Sequence, residues 1–197
     1  MPSLRNSAVS VFSGKVTTLV FALAAIVYPL AVYWMHERVS FTVFALVAIF
    51  LLLARSFFVR EGVMRLLRLP LLVAAFLLAA LALFDAAAAA KAYPAMVSLL
   101  VAILFGNSLR HPPSLVERFA RLRDAHLGDA ATLYCRRVTL VWTVWLAMNA
   151  GVAAILAWDG DVALWALWTS LISYAVSGAL FFGEMLLRRW LIARAEA

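Results

Sequence analysis

The chain has 197 residues, 66% of them hydrophobic and 14% charged, with a formal net charge of +7. A soluble domain sits near half apolar and a quarter charged, and disorder needs low hydrophobicity with high charge, so the composition excludes both. The apolar residues fall in long, nearly charge-free runs, which reads as an all-α, polytopic membrane protein.

Six such runs follow one another. The first covers about 16–35 and closes at His36, Glu37 and Arg38. Arg5 and Lys15 precede it as they would in a signal peptide. The run is longer than the roughly 7–15 residues of a signal h-region and no small-residue cleavage site ends it, so a retained first helix is expected. The second covers 39–54 and stops at Arg55, and the third starts near Leu69 and ends at Phe84 or, through the alanine run, covers 69–90. The fourth covers 94–109, opened by Pro94 at a first helical position, where a proline costs nothing. The fifth and sixth cover 138–158 and 162–183. About 20 residues cross a bilayer, so the second and fourth need part of their flanks. The expectation is a single transmembrane domain of six helices with a cytoplasmic loop over 110–137. Tyr28-Pro29 and Tyr93-Pro94 match as dipeptides, but one is read as ending a helix and the other as beginning one.

Charge placement orients the chain. With the N-terminus inside and the runs alternating, fifteen of the seventeen basic residues lie in inner segments, and only Arg38 and Lys91 lie outside. Glu37, Asp85, Asp159 and Asp161 make the outer side net negative. Basic residues concentrate on the cytoplasmic side of such proteins, so the arrangement predicts both termini inside and explains the +7 without nucleic acid. The single cysteine, Cys135, excludes an intramolecular disulfide and any cysteine-based metal cluster.

Within the inner loop, Ser114 precedes Glu117 by three residues, the spacing of a capping box, just after Pro112 and Pro113. Leu115, Phe119 and Leu122 recur at i, i+4 and i+7, with Glu117, Arg118 and Arg121 on the other side and Gly128 as a stop. That pattern predicts a short amphipathic helix on the inner leaflet. The stretch 60–69 is a second candidate.

Polar groups inside apolar runs are the first places to seek function in a membrane. Asn149 sits midway along the fifth run; its amide reads either as a hydrogen bond between helices or as part of a ligand site. Trp142, Trp145, Trp165 and Trp168 form two i, i+3 pairs that read either as packing or as the wall of a groove for an acyl or aromatic ligand. Ser173 with Ser177 and Ala147 with Gly151 are small-xxx-small pairs that predict close packing of the fifth and sixth helices. Asp85 reads as an interfacial carboxylate, and Glu184 as an i, i+4 partner of Arg188. No run carries a charge at its centre, which argues against an ion-coupled pump. His36, His111 and His126 are scattered, and no catalytic motif or metal-ligand spacing appears. Cys135 beside Arg136 and Arg137 has the charge environment of a reactive thiol but no evident base. The expectation is a protein without catalytic residues, metal or cofactor.

The segments Phe105-Gly-Asn-Ser-Leu109, 113–122 (PSLVERFARL) and 134–142 (YCRRVTLVW), with Asn149 and Tyr28-Pro-Leu30, resemble a family of small bacterial inner-membrane proteins. These are encoded among aryl-polyene and xanthomonadin-type lipid biosynthesis genes. More distantly, the order of Pro, Arg, Thr-x-x-Trp and Asn is similar to the intracellular septation protein A family. The resemblance implies a place in the bacterial inner membrane and a part in acyl or polyene lipid assembly, as scaffold or acyl-chain binder. A lipid carrier or flippase and an integral-membrane acyltransferase are the alternatives. It also implies docking of an acyl carrier protein or another cytoplasmic biosynthetic enzyme through Glu117, Arg118, Arg121, Arg136 and Arg137, with membrane lipids as further partners and an oligomer compatible. Asn149, Trp142, Trp145, Trp165 and Trp168 form the candidate lipid- or ligand-binding set.

Overall fold

The computed structural model describes residues 20–21, 23–58, 68–122 and 128–195, and among them every regular element is a helix. These are α1 (Leu23–Met35), α2 (Phe41–Phe58), α3 (Arg68–Phe84), α4 (Ala86–Arg110), α5 (Leu115–Arg121) and α6 (Asp129–Asp159), followed by α7 (Val162–Leu167), a π-helical turn (Trp168–Ile172) and α8 (Ser173–Ala195). Four stretches are long and apolar enough to cross a membrane: Phe41–Phe58, Ala86–Arg110, Asp129–Asp159 and Val162–Trp190. Two shorter apolar helices, Leu23–Met35 and Arg68–Phe84, accompany them. The candidate surface helix over 60–69 and His126 lie outside the described residues, apart from Arg68 and Leu69 at the start of α3.

The alanine run belongs to α4 and not to the third helix. Asp85 separates the two: its Oδ1 accepts the Ala88 N–H at 2.9 Å, the bond an N-cap carboxylate makes to the first turn of a helix. The third run therefore ends at Phe84, and the fourth begins eight residues before Pro94. Pro94 is thus inside a helix, contrary to its reading as a first-turn residue. A proline there withdraws the N–H that would bond the carbonyl four residues back, which is that of Ala90. The Tyr28 hydroxyl donates to the Ala90 carbonyl at 2.8 Å and lies 3.2 Å from the Phe44 carbonyl. A side chain of α1 replaces the donor that α4 lacks. Tyr28 and Tyr93 meet edge to face at 4.9 Å between ring centroids. Tyr28-Pro29 likewise sits within α1 and does not end it.

The chain divides into two compact units, Met1–Pro94 and Ala95–Ala197. In the first, α2 and α3 pack through Ala45, Ala48 and Leu52 on one side and Leu71, Ala74, Ala75 and Leu78 on the other, all buried. Their outward faces carry Val43, Leu46, Phe50, Leu72, Phe76 and Leu77, all exposed. A seam built on four alanines between leucines, with large apolar residues covering the outside, departs from a water-soluble core. It is the distribution expected where the surrounding medium is as apolar as leucine and close backbone approach drives association.

In the second unit α6 is joined to α7 by a tight turn. Gly160 takes φ 91°, a left-handed conformation that favours glycine, and Asp161 Oδ1 accepts the N–H groups of Ala163 and Leu164. The π turn interrupts the regular i→i+4 ladder. Hydroxyls occupy this region: Thr169 donates to the Trp165 carbonyl, Ser170 to that of Ala166, Ser173 to that of Thr169 and Ser177 to that of Ser173. Ser173 and Ser177 are therefore spent on their own helix, and Ser177 also accepts from α6. The other small pair does not act as predicted. Ala147 and Gly151 are exposed, and a Cβ on Gly151 would meet no atom within 4 Å. The tight approach lies instead between α4 and α6, where a Cβ on Gly106 would come within 3.2 Å of Thr143 Cγ2.

Candidate functional site

Asn149 is buried on α6 and joins three helical segments. Its side-chain N–H donates to Ser98 Oγ on α4 at 2.9 Å, and its oxygen accepts the Trp168 indole N–H from the π turn at 2.9 Å. An indole N–H only donates, so the amide orientation is fixed: oxygen towards Trp168 and nitrogen towards Ser98. One turn earlier on α6, the Trp145 indole donates to Ser177 Oγ at 2.9 Å. Trp165 is completely buried, whereas Trp142 is half-buried beside Phe105 of α4, 6.4 Å between centroids. The two i, i+3 tryptophan pairs therefore diverge. Trp142 turns to α4 and Trp145 to α8; Trp165 fills the interior and Trp168 serves Asn149. Asn149 makes the interhelical bonds that an amide in an apolar medium requires.

At the other end of α6 the five residues read as a docking set fall into two groups. Glu117 is buried, accepts the Ser114 N–H through Oε2 at 3.2 Å, and pairs through Oε1 with Arg121 at 2.8 Å. Ser114 and Glu117 thus form the expected capping box, in which the Glu117 half makes the full hydrogen bond and the buried Ser114 hydroxyl only faces the Glu117 backbone. The next two N–H groups of α5 are also met by side chains: Leu115 N–H bonds Ser108 Oγ at 2.9 Å and Val116 N–H bonds Thr139 Oγ1 at 3.4 Å. Three of the donors that a helix start leaves open are thus satisfied, by Glu117 itself, by α4 and by α6. Arg118 donates to the carbonyls of Pro113 and His111. Glu117, Arg118 and Arg121 hold α5 in place, while Arg136 and Arg137 are exposed.

The short helix forms where the pattern predicts it; Leu115 and Glu117 are buried, whereas Phe119, Arg121 and Leu122 are exposed. Glu184 departs from expectation. It accepts a hydrogen bond from the Tyr134 hydroxyl on α6 at 3.3 Å, and no ion pair with Arg188 forms among the described residues. This contact puts the start of α6 beside the middle of α8. Cys135 is buried between these groups, with its carbonyl accepting from Thr139. Among the described residues, no three His, Cys, Asp or Glu side chains gather in a group that could hold a metal ion.

Comparison with known proteins returns no match, whether to family models, to curated proteins or to solved structures. Ser98, Ser108, Thr139 and Ser177 were not singled out as partners of the site residues. Their role depends on which helices become neighbours, and spacing along one helix carries no signal of that.

Proposed function

We propose that the chain is an auxiliary integral membrane protein of acyl or polyene lipid biosynthesis in the bacterial inner membrane, a scaffold or acyl-chain binder without chemistry of its own. Six membrane-crossing helices, with both termini in the cytoplasm, are the topology proposed with it. The observation that carries the reading is the division of labour along α6. Mid-helix, Asn149 and Trp145 spend their polar groups on neighbouring helices. At its start, Arg136 and Arg137 stay uncommitted. A rigid bundle with an open basic end suits recruitment of an acidic partner, and the resemblance supplies its identity as an acyl carrier protein.

The test is native mass spectrometry of the full chain in neutral detergent, mixed with an acyl carrier protein bearing an acyl chain. A one-to-one complex is expected. A retained lipid product with no carrier-protein complex would instead support the carrier or flippase, and acyl transfer by the purified protein the acyltransferase.

A further inference from the structure

The ends of α6 and α8 carry two double-arginine steps whose heights can be compared through one contact. Tyr134 and Glu184 hydrogen-bond across the two helices and so lie at the same level. The helices run antiparallel there, because α6 leads away from this end and α8 leads back to it. At about 1.5 Å per residue, Arg137 lies roughly 4–5 Å from that level along α6, and Arg188 about 6 Å from it in the opposite direction along α8. The two steps, Arg136-Arg137 and Arg188-Arg189, thus stand about 10 Å apart along the helix axes. The polar zone of one leaflet is about 5–8 Å deep, and a guanidinium on its flexible stem covers the remainder.

All four arginines are exposed, and none has a carboxylate within ion-pair distance among the described residues. Glu184, four residues before Arg188, accepts from Tyr134. Their neighbours are apolar and equally uncovered: Leu133 and Leu140 on α6, and Phe181, Phe182, Leu186 and Leu187 on α8, each about half exposed or more. The arrangement favours a negatively charged ligand that also covers such side chains. A lipid does, with acyl chains against the phenylalanines and leucines and a phosphate between the guanidiniums, whose planar forks match phosphate oxygens.

We infer that Arg136, Arg137, Arg188 and Arg189 form a binding site for an anionic phospholipid of the surrounding leaflet, the phosphodiester headgroup lying between the two arginine steps. The site shares Arg136 and Arg137 with the docking end proposed above, so lipid and carrier protein would compete for them, and the test below separates the two.

The test is native mass spectrometry of the full chain titrated with phosphatidylglycerol or with phosphatidylcholine of the same chain length. Phosphatidylglycerol should bind preferentially, and its advantage should shrink as ionic strength rises. Arg136→Gln with Arg137→Gln, and separately Arg188→Gln with Arg189→Gln, should each weaken phosphatidylglycerol binding about thirtyfold, since one basic residue near a lipid surface contributes on the order of fivefold. Arg38→Gln, in the turn between α1 and α2, should change nothing. Equal binding of the two lipids by the wild type overturns the proposal, whatever the variants do. So does unchanged preference in both double variants, or displacement of phosphatidylglycerol by an acidic carrier protein while phosphatidylcholine stays bound.

Discussion

A buried amide in an apolar medium has few options, and Asn149 uses the best of them by accepting from a group that only donates and donating to a hydroxyl. Asn149→Leu keeps the volume but strips both partners: the Trp168 indole N–H and the Ser98 hydroxyl remain with no water to receive them. Interhelical hydrogen bonds in membranes contribute about 0.6–1.7 kcal/mol each. We expect a loss of about 1–3 kcal/mol, read as a shifted midpoint in unfolding by SDS from mixed micelles. Ser98→Ala removes one bond and should cost about half as much. A ligand-binding role for Asn149 makes a different prediction, in which stability holds and only ligand retention falls. The sequence flagged Asn149 because polarity inside an apolar run is conspicuous. Its partners were hidden, because a serine among alanines looks like a packing residue until a second helix is placed beside it.

Elements were legible to the extent that their signals are local. The apolar runs located the helices because a membrane-length stretch has no competing reading, and Ser114 with Glu117 located α5. The end of the third helix stays open in the sequence, between Phe84 and Ala90, because alanine carries no direction: the five alanines from Ala86 continue one helix as readily as they start another, and the cap at Asp85 decides for Phe84. Pro94 misled for a different reason. Proline is harmless in a first turn, which made that the economical reading, whereas its cost inside α4 is offset by Tyr28, 62 positions from Ala90 in the chain. The same exchange gives a sharp test. Tyr28→Phe should destabilise the fold by about 1–2 kcal/mol by leaving the Ala90 carbonyl without a donor. Pro94→Ala restores the N–H that makes Tyr28 redundant, so Tyr28→Phe should cost little in that background. Additive losses in the double-variant cycle, measured by the same SDS unfolding, would remove this account of the contact.

For the molecule as a whole, the many large apolar side chains left outside and the long apolar helices point to a bilayer as solvent, and they make orientation the property most worth measuring. The helix α6 allows it to be done on one element. Its 31 residues, Asp129–Asp159, extend about 46 Å at 1.5 Å per residue, against an apolar slab of roughly 30 Å, so both ends must emerge. Asp129 and Asp159 are exposed, and Trp158 beside the latter is 93% exposed at the depth where tryptophans gather. The single native thiol, Cys135, is buried and can be replaced by serine to clear the background. In that background, a membrane-impermeant maleimide applied to intact spheroplasts should label Asp159→Cys and spare Asp129→Cys until the membrane is opened. The reverse pattern would invert the topology and move the arginine ends of α6 and α8 to the outer leaflet. Labelling at both sites in intact cells would deny that α6 crosses at all, leaving its 31 apolar-rich residues to be covered by protein instead of lipid.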